Sequence, residues 1–540
     1  MDQQTAYDRG PSGTALLDET IGANFERTVR AHGDREALVE VAGGRRWTWT
    51  ELDEAVDAVA RGLLAAGLER GDRLGVWAPN CAEWTIAQYA TAKVGVILVN
   101  VNPAYRTHEL AYAVNQSGMR VLLAMTSFKT SDYRAMVEQV RDECPALERV
   151  VFVDTDDWDA LVAEGAEVPP EAVAERMATL EAGDPINIQY TSGTTGRPKG
   201  ATLSHRNILN NGYFTTELIN LGPEDRLCIP VPFYHCFGMV MANLGCTSHG
   251  TTMVIPAPGF DPEATLRAIA AERCTGVYGV PTMFIAMQNH PTFAEHDLSS
   301  LRTGIMAGSI CPIEVMKRCI TEMHMSEVAI AYGMTETSPV SCQTRADDDL
   351  DRRTASIGRV HPHLEIKVVD PVSGETVERG RTGELCTRGY SVMLGYWEEP
   401  EKTAEAIDAD GWMHTGDLAE MRPDGYCNIV GRIKDMVIRG GENVYPREVE
   451  DYLYTHPDVE DVQVIGVPDE KYGEELCAWI KMKAGAEPLD AAAVHAFCDG
   501  RLSHYKIPRY VMVVEEFPMT VTGKVRKVDM RATTAERLGL

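Results

Sequence analysis

Tyr190-Thr191-Ser192-Gly193-Thr194-Thr195-Gly196-Arg197-Pro198-Lys199-Gly200 follows an apolar, strand-like run at residues 186–190 and precedes a helix-like stretch at 207–212. Its three glycines let backbone N–H groups approach an anion closely, its four hydroxyls add donors, and Lys199 adds a positive charge. The segment therefore has the means to wrap phosphates. It is not a Walker A loop, because the spacing G-x-x-x-x-G-K-[ST] is absent, and it lacks the dinucleotide pattern G-x-G-x-x-G. Taken by its residues alone, it stands equally for a mobile Gly/Ser/Thr connection.

Outward from this segment, helical and strand-like patterns alternate from residue 20 to about 340. Residues 52–68 predict an amphipathic helix and Arg73-Leu74-Gly75-Val76-Trp77 a strand, with further strands at 95–101, 121–124, 150–153, 186–190, 252–255 and 276–280. This βα alternation predicts an α/β fold of mostly parallel sheets covered by helices. Between about 355 and 430 the texture changes to short strands broken by Gly, Asp and Pro, as at 365–369 and 383–388, which predicts a small β-rich subdomain. The stretch after Arg432-Ile433-Lys434-Asp435 carries its own β and α patterns, with a strand at 462–467 and a helix at 491–502. The expected organisation is a large N-terminal domain over 1–433 hinged to a small α+β domain over 434–540.

A chain of 540 residues exceeds what one hydrophobic core normally serves. Its 51 Lys and Arg against 80 Asp and Glu give a formal net charge of -29, which repels nucleic acid and anionic membrane surfaces and demands a local basic site for any anionic nucleotide. The thirteen cysteines form no Cys-x-x-Cys pair, so reduced, buried thiols are expected rather than a zinc ribbon or dithiol. No run approaches 18 apolar residues and the start carries no basic region followed by an apolar one, so the expectation is a cytoplasmic protein without an integral membrane segment.

Four further segments follow the first in order: Tyr332-Gly333-Met334-Thr335-Glu336, Trp412-Met413-His414-Thr415-Gly416-Asp417, Gly431-Arg432-Ile433-Lys434-Asp435 and Thr522-Gly523-Lys524-Val525-Arg526. Together with the 190–200 segment they resemble the phosphate loop, adenylate-binding, ribose-binding, hinge and C-terminal lysine motifs of the adenylate-forming superfamily, which holds acyl-CoA synthetases, firefly-type luciferases and peptide-synthetase adenylation domains. The likeness spans essentially the whole chain. It implies an acid–thiol ligase using ATP, Mg2+ and coenzyme A: a carboxylic acid becomes an acyl-adenylate with release of pyrophosphate, and the acyl group then passes to the thiol. Asn80-Cys81-Ala82-Glu83-Trp84 and Val101-Asn102-Pro103-Ala104-Tyr105-Arg106 look most like medium-chain fatty acyl-CoA synthetases, which implies a saturated acid of intermediate length.

The resemblance also implies roles. Thr191, Ser192, Gly193, Thr194, Thr195, Gly196, Arg197, Pro198 and Lys199 would hold the phosphates. Glu336 suits Mg2+ as a hard oxygen ligand, with Thr191 as helper, and Thr335 would donate to the α-phosphate. Asp417 would accept from the ribose hydroxyls with Arg432 adding donors nearby. Gly308 and Ser309, with Ala331, Tyr332, Gly333 and Met334, would enclose the adenine. His235, Phe237, Gly238, Tyr278 and Ala307 would line the acyl pocket; a histidine among aromatics also fits a packed core position. Lys524 would offset the repulsion between carboxylate and α-phosphate. Lys434 is the expected hinge, and Gly440, Gly441 and Glu442 the expected segment at the thioester site. Two other readings are a ligase that loads a separate carrier protein and a catalytically silent nucleotide- or acyl-binding module.

Overall fold

The computed structural model describes residues 4–191, 198–309, 311–440, 442–519 and 525–539. The chain forms two compact units, one of residues 8–366 and 387–413, the other of residues 1–7, 367–386 and 414–540. It is α/β, as the alternation predicts.

The larger unit holds two large sheets and the two-stranded ribbon of Ser127–Phe128 and Ser131–Asp132. One has seven strands in the order Gly395–Tyr396, Lys199–Ser204, Pro185–Thr191, Ile97–Asn100, Arg73–Trp77, Val121–Ala124 and Arg149–Phe152. The other has nine, running from Arg359–Val360 through Glu327–Gly333, Thr303–Ala307 and Gly276–Gly279 to Arg45–Thr48. Their central strands pair in parallel. The strands are near-continuous apolar runs because helices cover both faces, and burial on both sides removes the polar half of an alternating pattern. The helix Ala82–Val94 is buried over its whole length. Its Lys93 has no exposed side-chain surface and places Nζ 2.6 Å from both Asp53 and Asp57, the pairing that a buried ammonium requires. Around it Phe25 stacks on Tyr89 at 4.5 Å and Trp84 packs against Phe233.

The helix expected at 52–68 runs instead over Trp49–Ala65. Thr48 accepts from the Glu51 N–H while Glu51 accepts from the Thr48 N–H, a capping box that fixes the start. Gly67, with φ of +74°, belongs to the turn that ends it. The segment at 190–200 precedes the helix His205–Glu217, which contains the expected stretch 207–212. Before that helix comes a strand the sequence does not announce: Lys199–Ser204 pairs antiparallel with Pro185–Thr191, with Thr191 opposite Lys199.

In the smaller unit, Met413–Met421 pairs antiparallel with Cys427–Arg432. A second sheet is built on the long hairpin Val459–Asp469 and Gly473–Met482, flanked by Val437–Arg439 and, in parallel, by Tyr510–Val513. The C-terminal helix Lys527–Leu538 buries Met530, and its Thr534 hydroxyl accepts from the Trp479 indole at 2.8 Å. All thirteen cysteines are buried and free. Among the described residues no helix is long and apolar enough to cross a membrane.

Candidate active site

In the larger unit, the strand pair Thr191 and Lys199 holds the two ends of the loop side by side. Ser192, Gly193, Thr194, Thr195, Gly196 and Arg197 lie outside the described residues. At the loop's foot, Pro198 is fixed by its carbonyl, which accepts from the Tyr112 hydroxyl at 2.9 Å. The Thr191 hydroxyl reaches Glu336 Oε1 at 3.3 Å. Glu336 is 6 % exposed and sits in the short turn Thr335–Thr337 that follows the strand Glu327–Gly333. Its backbone carbonyl accepts from the Met393 N–H at 2.9 Å, which fixes the turn.

A residue absent from the sequence expectations completes this group. Tyr396 donates its hydroxyl to the same Glu336 Oε1 at 2.9 Å, and Lys199 Nζ lies 4.4 Å from the Tyr396 ring centroid. Burial, reinforced by the Glu336 charge, pushes the Tyr396 phenol well above its usual range, so it remains a donor at any physiological pH. A tyrosine on a two-residue edge strand, 60 positions beyond the glutamate it serves, leaves no local pattern to read.

The adenine candidates come from neighbouring parallel strands. Ala307 is the register partner of Ala331, so Gly308 and Ser309 leave one strand end beside Tyr332 and Gly333 on the next. Gly308 has φ of +89°, a conformation that favours glycine. A Cβ on Gly333 would lie 1.6 Å from the Pro339 carbonyl oxygen, so only glycine permits that return of the chain. Met334 packs against the main core.

Phe237, Tyr278 and Ala307 meet in one buried cluster, with Phe237 stacked on Tyr278 at 5.6 Å. Phe237 and Gly238 open a π-helix, Phe237–Leu244, buried throughout. Such wide turns recur at functional sites. A Cβ on Gly238 would stand 2.3 Å from the Pro232 carbonyl oxygen, which keeps this turn tight against the preceding segment. His235 is partly exposed beside Tyr234, at 6.4 Å between ring centroids. The next residue, Cys236, donates to Gln189 Oε1 at 3.2 Å, with Thr335 nearby; burial pushes its thiol up to about 12.

In the smaller unit, Asp417 and Arg432 are register partners on adjacent strands, and Arg432 Nε donates to Asp417 Oδ1 at 2.8 Å. Asp417 is 8 % exposed. Its turn is tied down residue by residue: the Thr415 hydroxyl donates to the Leu385 carbonyl at 2.6 Å, the Gly416 N–H to Glu384 Oε1 at 3.0 Å, and the Asp417 N–H to the Thr415 hydroxyl oxygen at 3.1 Å. Gly416 adopts φ of +70°. Lys434 lies in the turn Ile433–Asp435; desolvation first and the neighbouring Arg432 second lower its ammonium from the ordinary range. Gly440 has φ of +61° near Tyr472, and Glu442 is exposed at the start of the strand Glu442–Val444. Gly441 and Lys524 lie outside the described residues.

Known proteins resemble this chain over nearly its whole length. Residues 25–397 match the family of AMP-binding enzymes, and residues 448–524 match the AMP-binding enzyme C-terminal domain. The putative acyl-CoA synthetase YngI of Bacillus subtilis (strain 168) is 46 % identical over 97 % of this chain and 99 % of its own. The mitochondrial medium-chain acyl-CoA ligase ACSF2 of Danio rerio is 45 % identical over 99 % of this chain and 92 % of its own. Among solved structures, ATP-bound MatB from Rhodopseudomonas palustris superposes with a TM-score of 0.80 at 28 % identity, covering 96 % of this chain and 99 % of that one. The anthranilate CoA ligase AuaEII in complex with anthranoyl-AMP gives 0.82 at 26 % identity, covering 97 % and 99 %. With the family's model matched over more than half its length and both relatives aligned nearly end to end, the chain belongs to the AMP-binding enzymes, the adenylate-forming family that includes the acyl-CoA ligases.

Proposed function

We propose that the chain is an AMP-forming acyl-CoA synthetase that activates a medium-chain fatty acid. The observation that carries this reading is the convergence of Thr191, Tyr396 and Glu336 at the foot of the phosphate loop, with Lys199 stacked on the tyrosine. Both hydroxyls land on Glu336 Oε1, which orients a buried carboxylate from two sides. That donor set is all oxygen and suits Mg2+, with Glu336 as ligand and Thr191 beside it; bound there, the cation would neutralise phosphate charge as pyrophosphate departs.

The residues of the chain divide the rest of the work. Lys199 and the loop bind phosphate oxygens, and Thr335 donates to the α-phosphate. Asp417 accepts from the ribose hydroxyls, its carboxylate oriented by Arg432. Lys524 supplies a positive charge where the carboxylate attacks the α-phosphate, an effect worth several kcal/mol in such sites. The acid–AMP anhydride forms, pyrophosphate leaves, and the coenzyme A thiolate then attacks the acyl carbonyl to displace AMP. Lys524 serves only the first step, so a hinge at Lys434 that divides 1–433 from 434–540, and a segment at Gly440, Gly441 and Glu442 serving the second, fit a two-step enzyme. The apolar cluster of Phe237, Tyr278 and Ala307, next to Gly238 and His235, fits an alkyl chain without a second charge. The relatives' names support a medium-chain acid. Thirteen buried free thiols fit a reducing compartment, the cytoplasm.

The test measures pyrophosphate release from ATP and Mg2+ over fatty, branched and aromatic acids, with and without coenzyme A, for the wild type and Lys524→Ala. Acyl-CoA and AMP with a medium-chain acid, and loss of adenylation but not of thioester formation from supplied acyl-adenylate in Lys524→Ala, are expected. Pyrophosphate without acyl-CoA would overturn the reading in favour of a carrier-protein ligase.

A further inference from the structure

Beside the turn that carries Asp417, three donor atoms of different chemistry meet. Glu384 and Cys386, two residues apart on Thr382–Gly389, share one face of their strand, and His414 lies in Met413–Met421. Their ligand atoms all lie within 4.8 Å of one another, and among the described residues no other group of three His, Cys, Asp or Glu side chains does so. Glu384 and Cys386 are buried, while 33 % of the His414 side chain faces solvent and leaves a way in.

His414 Nδ1 stands 2.8 Å from Glu384 Oε2 and 3.5 Å from Cys386 Sγ. The Cys386 thiol also lies 4.0 Å from the Glu384 carbonyl oxygen, and the one ring nitrogen, carrying either one proton or one lone pair, bonds one of its two side-chain neighbours at a time. A cation serves all three together. Zinc bonded tetrahedrally at about 2.3 Å to sulfur and about 2.0 Å to nitrogen holds those two atoms about 3.5 Å apart. That is the separation found. The carboxylate oxygen must retreat to about 3.3 Å from the nitrogen for the same geometry, a small rotation of the Glu384 side chain. Glu384 Oε1 already accepts from the Gly416 N–H at 3.0 Å, which turns Oε2 toward the imidazole in the way that outer contacts orient metal ligands.

We propose that Glu384, Cys386 and His414 form a site for a borderline divalent cation of the Zn2+ class, with a fourth position open to water. Thiolate and imidazole exclude Mg2+ and Ca2+ from it and select zinc, cobalt or copper. Because one carboxylate bridges the cation and the Gly416 N–H, occupancy stiffens the ribose-side turn as well.

The probe is Co2+, added to the chelator-stripped full chain. One equivalent is expected to bind with Kd below about 10 μM. It should give the visible bands of a tetrahedral ion and a sulfur-to-cobalt charge-transfer band in the near ultraviolet, both bleached by an equivalent of Zn2+. Cys386→Ala should lose the charge-transfer band, and His414→Gln should weaken binding at least about tenfold. His414 is partly exposed, so its variant keeps the test open if the buried Cys386→Ala fails to fold. Charge transfer surviving Cys386→Ala, Co2+ affinity unchanged in His414→Gln, or no cobalt spectrum in the wild type would each overturn the site.

Discussion

Tyr396→Phe isolates a contact to Glu336 that the sequence did not announce. The side chain is 7 % exposed and phenylalanine fills the same volume, so the substitution removes a hydroxyl without opening a cavity. What is lost is a 2.9 Å hydrogen bond to a buried carboxylate, of a kind worth about 1.5–3 kcal/mol. Glu336 keeps Thr191 at the longer distance of 3.3 Å, which does not replace it. If the carboxylate must be oriented for adenylation, the full value appears in the barrier, and kcat/KM for ATP falls about 10- to 150-fold. The assay is acid-dependent exchange of labelled pyrophosphate into ATP, which reads the first half-reaction alone. Thioester formation from supplied acyl-adenylate should stay near wild type. An exchange rate within about twofold of wild type would refute the reasoning, since a contact of this kind cannot be worth so little where it orients a reacting group.

Asp417→Ala should raise KM for ATP at least about tenfold in the same exchange assay, because it removes a buried acceptor and leaves the Arg432 guanidinium without its 2.8 Å partner. Gly238→Ala forces a Cβ to within 2.3 Å of a backbone oxygen, so the π-turn must shift at a cost of about 1–3 kcal/mol, visible as a lower Tm and altered chain-length preference. His205 accepts the Ile21 N–H at Nδ1 and burial lowers its pKa from 6.5 to about 4, so the neutral form belongs to the fold. The folded pKa is depressed, so this stability is complete above pH 6.5 and is lost as pH falls toward 4; it amounts to about 3 kcal/mol. Tm should drop across that window, and less so in His205→Asn, whose amide oxygen accepts without titrating. Finally, a thiol reagent should find few reactive groups in the native protein and all thirteen after denaturation.

The parallel strands were legible where their runs are apolar from end to end. Arg73–Trp77 and Thr252–Ile255 have the predicted bounds because each is bracketed by turn residues. Lys199–Ser204 was missed because Lys-Gly-Ala-Thr-Leu-Ser has neither alternation nor a β-branched run. It is a strand because Pro185–Thr191 and Gly395–Tyr396 pair with its two edges, one of them nearly two hundred residues away. The same limit applies to the site. Thr191 and Glu336 were readable as motif members, whereas Tyr396 enters through tertiary pairing alone. The π-helix at Phe237–Leu244 reads in sequence as an ordinary apolar run, since its wide turn comes from packing and not from composition.

The register of the nine-stranded sheet has an evolutionary consequence. Ala307, the last residue of its strand, lies beside Ala331, two residues short of the end of the next parallel strand. A lineage that enlarges one of the pair meets the other at once, so tolerated changes at the two positions should arise together, as compensating volumes, when many members of the family are aligned. Drift at Ser309 and Tyr332 should be linked in the same way, which makes this edge of the sheet a place to look for coupled change within the family.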